Sequence, residues 1–161
     1  MEKNSQDAQM WLQLGKAQAI QARWKEQLGA LRPEDMEEAA RSFERAISLS
    51  PDEPEYRLQA GLFYRLWAEQ QKRAGLEHGP KLQRGRELAE QALKARPDWP
   101  AARALRASLR LELAGTTSPE DPRTERSQAL EELSQALASN PNLTHEWSGL
   151  LAGAQRLGAI P

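Results

Sequence analysis

The chain has 161 residues, no cysteine and a net charge of −1, with 28% charged residues of both signs. That length buries the core of one ordinary domain. The balanced charge excludes a chain built as a whole to grip nucleic acid or an anionic membrane surface, and the missing cysteines exclude disulfides, thiolate zinc sites and cysteine nucleophiles. Met1 to Asp7 is polar and no apolar run behind it could act as a signal peptide. The apolar runs are a few residues long, against the ~20 that a membrane span requires. A cytoplasmic chain with neither a nucleic-acid nor a membrane partner is therefore expected. Isoleucine occurs only at positions 20, 47 and 160 and valine is absent, whereas Ala, Leu, Glu, Gln and Arg dominate. Strands need β-branched side chains and these residues favour helices, so the fold class is expected to be all-α.

Taken in chain order, the pattern predicts seven helices. The first, about 6–28, stops at the Gly29 to Pro33 cluster. The second, about 34–49, opens on Glu34 and Asp35, acidic residues suited to a helix N-terminus, and ends before Pro51. The third, about 53–74, runs to the Gly75 to Pro80 breaker, and the fourth, about 81–96, ends before Pro97. The fifth, about 98–114, meets Gly115 to Pro122; the sixth, about 122–139, ends before Pro141; the seventh is expected over about 142–157.

The ends of alternate helices resemble one another: Ala46 to Pro51, Ala92 to Pro97 and Ala136 to Pro141, with the prolines 46 and 44 residues apart. Trp11, Leu14 and Gly15 followed by Ala39, Phe43, Ala46 and Pro51 match the tetratricopeptide pattern W-x2-L-G-x2-Y, A-x3-F, A-x4-P. Gly61, Tyr64, Ala92 and Pro97 continue it. Ala107, Ala129, Leu133, Ala136 and Pro141 follow, and Trp147 with Leu150 opens a fourth unit that is never completed. On these residues the chain resembles the tetratricopeptide repeat (TPR) family. The likeness implies an α-solenoid of three helix hairpins, about 6–51, 52–97 and 98–141, closed by a capping helix at 142–157 in a single domain spanning 1–161. Trp11 and Pro51 lie 40 residues apart instead of about 28, so each helix is lengthened by roughly one and a half turns. The Gly29 to Asp35 turn and the ending Asn140 to Trp147 are similar to the C-terminal TPR region of bacterial serine/threonine protein kinases. None of a kinase's own motifs is present, so that likeness implies a regulatory piece.

The TPR resemblance implies a protein or peptide partner held in a concave groove, lined here by Leu12, Lys16, Ile20, Leu58, Leu62, Arg65, Leu66 and Ser108. Leu12, Leu58, Leu62 and Ala104 stand where chaperone-tail binders carry a Lys/Asn/Arg clamp, so an apolar segment or amphipathic helix is the expected ligand. The kinase likeness points to a kinase domain or its substrate. A structural alternative is self-association as a homodimer. Arg103, Arg106 and Arg110 share one helical face, as a basic strip snorkelling over the core or as a site for an acidic or phosphorylated segment. Trp11, Trp67 and Trp147 read as packing residues, Trp99 as filling a turn, and Trp24 as a candidate partner contact.

Chemistry is not legible. His78 and His145 lack ligand-type neighbours, and Gly75, Gly79 and Gly85 follow no phosphate-loop spacing. Glu37-Glu38 and Glu131-Glu132 point about 100° apart on a helix, so they read as solvated faces. No metal, cofactor or catalytic set is expected, and the chain reads as a non-enzyme. Thr116-Thr117-Ser118-Pro119 reads either as a phosphorylation site or as a polar turn capping the next helix.

Overall fold

Proline opens four of the six α-helices, because its missing N–H costs nothing in a first turn and its φ is already helical. The computed structural model describes residues 2–114, 122–145 and 147. The helices are α1 (Glu2–Gln27), α2 (Pro33–Leu49), α3 (Pro54–Arg73), α4 (Gly79–Ala95), α5 (Pro100–Ala114) and α6 (Pro122–Ser139), followed by a 3-10 turn, Pro141–Leu143. No strand occurs among the described residues. The fold is all-α, and no helix among them is long and apolar enough to cross a membrane.

Two kinds of turn alternate. After α1 and α3 a glycine adopts positive φ, 69° at Gly29 and 72° at Gly75. Ala30 N–H then donates to the Lys25 carbonyl (2.7 Å) and Gly29 N–H to Glu26 (3.0 Å). Leu76 and Gly75 repeat the pattern on Gln71 (2.8 Å) and Lys72 (3.1 Å). This double bond satisfies the orphan carbonyls of a helix end, and the left-handed residue it requires favours glycine. After α2, α4 and α6 the chain instead leaves through an extended residue before proline: Ser50, Arg96 and Asn140 donate to the carbonyls of Ala46, Ala92 and Ala136 at 3.0–3.1 Å.

Helices pack in successive pairs, α1 with α2, α3 with α4 and α5 with α6. They run antiparallel: Lys25 reaches Asp35 and Gln18 reaches Ser42, while Arg106 reaches Glu132 and Arg110 reaches Glu125. Odd-numbered helices lie parallel with a constant offset. Tyr56 bonds Gln9, Arg73 bonds Glu26 and Arg65 bonds Glu112, each pair 47 residues apart. This offset lies close to the 46 and 44 residues that separate the prolines.

The core has two parts. Around α1, α2 and α3 it is aromatic: Phe43 stacks on Phe63 at 5.1 Å, and Phe63 meets Tyr64 and Trp67 at 5.7 and 5.8 Å. Around α4, α5 and α6 it is leucine and alanine, with Leu82, Leu105, Leu109 and Leu133 fully buried. Gly61 lets α3 cross α4 and α5 closely, since a Cβ there would lie 2.8 Å from Leu105 Cδ2 and 3.3 Å from the Gly85 carbonyl oxygen.

Several expectations shift. Helix α1 begins at Glu2, not near residue 6. Of the helix expected at 142–157, residues 146 and 148–157 lie outside the described residues, as does Thr116-Thr117-Ser118-Pro119. Trp11, expected in the core, is half-exposed, because α1 is the first of the row and no described helix covers its outer side.

Candidate interaction surface

A cleft of about 210 Å³ opens between α1 and α3. Its floor is apolar: Ala19, Ala22, Met36 and Phe63, with Leu31 at one end. Ile20 of α1 and Leu66 of α3 stand exposed at the rim. The far wall is charged, where Arg73 grips Glu26 through two bonds of 3.0 Å. That contact, above all its hydrogen bond, raises the Arg73 pKa. A second hollow lies beyond Met36, lined by Trp67, Gln71, Leu76 and Lys81, whose ammonium stands 3.8 Å from the Trp67 ring.

The groove residues read from sequence divide into three sets. Ile20 and Leu66 come together at the cleft rim, and Lys16 is exposed one turn away on α1. Leu12, Leu58 and Ser108 are buried and face no partner; Leu12 shares a cluster with Tyr56 and Ala60, and the Ser108 hydroxyl donates to the Leu105 carbonyl at 2.7 Å. The third set is occupied by the chain itself. Trp147 is buried in the cluster that holds Leu58, Leu62 and Ala104, and the Arg65 guanidinium lies 4.8 Å from its ring centre. Arg65 is also fixed by Glu69 (2.9 Å) and Glu112 (3.2 Å). Burial pushes the Glu112 carboxyl above the ordinary carboxylate range although Arg65 opposes the rise. The α3–α5 stretch of the expected groove is therefore filled.

The arginine strip of α5 is engaged within the chain. Arg106 Nε bonds Glu132 at 2.9 Å, Arg110 bonds Glu125 at 2.8 Å and Glu132 at 3.1 Å, and Arg103 reaches Gln135 at 3.4 Å. The acceptors Glu125, Gln128, Glu132 and Gln135 form one stripe of α6, so the strip zips α5 to α6.

Sequence reasoning missed Arg23, Glu26, Glu69, Gln70 and Arg73, which belong to the lengthened helix ends that the common repeat lacks. Their signal was the charge pair Glu26 and Arg73 at the repeat offset. No cluster of His, Asp and Glu able to hold a metal occurs among the described residues. Trp99 meets Arg96 in the turn before α5, at 4.2 Å, and Trp24 is exposed on α1. Comparison of the chain with known proteins finds no matching family model, curated protein or solved structure.

Proposed function

We propose that the chain is a TPR-type solenoid of lengthened helix hairpins that holds an apolar segment of another polypeptide in the cleft between α1 and α3. The observation that carries this reading is the cleft's make-up, an apolar floor with two exposed aliphatic rims and an ion pair along one wall. Its volume is below the roughly 300–1,000 Å³ of a small-molecule pocket, so it suits one or two anchoring side chains of a longer ligand. A peptide helix would lay its apolar side chains between Ile20 and Leu66 and its polar side along Arg23, Glu69 and Arg73. The constant 47-residue offset between parallel helices and the repeated proline exits support the solenoid reading. Under the kinase likeness the ligand belongs to a kinase domain or its substrate.

Selection from a library of displayed helical peptides, followed by anisotropy titration of the winners, tests this. Leu66→Arg places a charge on the rim without touching the core, and binding is expected to fall at least tenfold with unchanged circular dichroism. Peptides that bind Leu66→Arg as well as the parent would move the site elsewhere.

A further inference from the structure

Helix α1 has two apolar faces, and the fold uses one. Ala8, Leu12, Gly15, Ala19 and Ala22 turn inward. On the opposite side Met10, Leu14, Ala17, Gln21, Trp24 and Leu28 follow one another at spacings of 4, 3, 4, 3 and 4, all exposed. Met10, Trp24 and Leu28 are 69%, 64% and 76% exposed. Large apolar side chains gathered and exposed on one helix face mark a surface that another molecule covers. The 4–3 alternation is the seam of a two-stranded coiled coil.

Three observations select the occupant. First, the flanks of the seam are Trp11, Gln13, Gln18, Ile20, Lys25 and Gln27, and the one charge among them, Lys25, is held by Asp35 at 2.7 Å. Nothing there repels an identical surface. Second, the outer side of α2 is wholly polar, with Glu34, Glu37, Glu38, Arg41 and Arg45 exposed. A further stacked hairpin would need apolar cover on both helices of the pair it joins, and only α1 offers it. Third, the area suffices. At roughly 150–250 Å² per full side chain, Met10, Trp11, Leu14, Trp24 and Leu28 present about 440–730 Å² per copy. The adjoining Ala17, Gln13, Gln21 and Gln27 bring this toward the ~800 Å² per partner of a standard interface.

We infer that two copies of the chain pair through the outer face of α1, antiparallel, with a two-fold axis at Ala17. This register places the smallest seam residue at the crossing, Leu14 beside Ile20 and Gln21, and Met10 against Trp24, a thioether on an aromatic ring. A parallel pair would instead set Lys3 on Lys3 and Asp7 on Asp7. The cleft opens on a neighbouring side of α1 and shares only Ile20 with the seam's flank, so Leu66 and Trp24 report on the two surfaces separately.

Sedimentation equilibrium across micromolar concentrations tests it. The parent is expected at twice the chain mass, and Leu14→Glu/Trp24→Glu at the chain mass with unchanged helicity; Leu66→Arg should leave the dimer intact while weakening peptide capture. A parent that stays monomeric, or a double variant that stays dimeric, overturns the proposal. Because the chain has no cysteine, orientation is read by oxidation: Met10→Cys/Trp24→Cys should form a covalent dimer and Met10→Cys alone should not. Efficient cross-linking of Met10→Cys alone would overturn the antiparallel register.

Discussion

The first and third hairpins share one backbone plan yet are joined by different forces. Between α1 and α2 the contact is mainly apolar and aromatic, with Gly15 against the Phe43 ring, and Lys25 pairs with Asp35 at the turn. Between α5 and α6 the buried side is leucine and alanine, and the open side carries a row of three arginines on glutamates and glutamines. A repeated backbone thus tolerates two packing chemistries, provided that the small residues at the helix crossings are kept. The aromatic end spends its charges on holding a turn, while the aliphatic end uses them to register one helix on another.

The largest expected effect comes from the aromatic end. Phe63 touches Phe43, Tyr64 and Trp67 at once, so Phe63→Ala leaves a cavity that three rings cannot close and should cost about 3–5 kcal/mol in urea unfolding. Leu109→Ala in the other cluster should cost about 2–4 kcal/mol, since smaller neighbours settle more easily. An equal or reversed order would remove the contrast. Next comes the crossing common to both halves: Gly61→Val must displace Leu105 and presses on the Gly85 carbonyl, an overpacking worth about 1–3 kcal/mol. Glu132→Ala follows. It strands Arg106 and leaves Arg110 to Glu125, and because both arginines are partly open to water the loss should be about 1–2 kcal/mol, shrinking in high salt.

How far the sequence leads differs along the same axis. Helices and turns were readable because Pro51, Pro97 and Pro141 and the turn glycines act locally, through φ and a missing N–H, whatever lies nearby. Even the α5–α6 zipper was present in the letters: Arg103, Arg106 and Arg110 match Glu125, Gln128, Glu132 and Gln135 once the helices are set antiparallel. Those arginines read as exposed only because a single helix was considered. The burial of Leu12, Leu58 and Ser108 was not readable. Groove positions are fixed by where helices cross, and helices longer than the common repeat bring Tyr56 and Ala60 of α3 into the cluster that covers Leu12. Nor could periodicity show that Trp147 returns to Arg65, because that contact spans about half of the chain.

The smallest expected effects separate the two ends by sign. Asp35 accepts from Lys25 at 2.7 Å and from the Arg32 amide at 2.9 Å, and these bonds, that of Lys25 foremost, hold its carboxyl below the ordinary value of 3.8. A lowered carboxyl stabilises the fold above its unfolded pKa and loses that contribution as pH falls through the folded one. Asp35→Asn should therefore melt below the parent at neutral pH and converge with it in acid. Glu112 moves the other way. Burial holds its carboxyl above 4.5, so the native state keeps the proton longer than the unfolded chain does, and stability drains away as pH rises through that raised value. Glu112→Gln should lose this pH-dependent penalty while keeping an oxygen for Arg65, so its melting temperature should gain on the parent's as pH climbs from 4 to 7. Parallel pH profiles for the two variants would mean that the turn charge and the buried charge are solvated alike, and the division of labour between the two ends would fall with them.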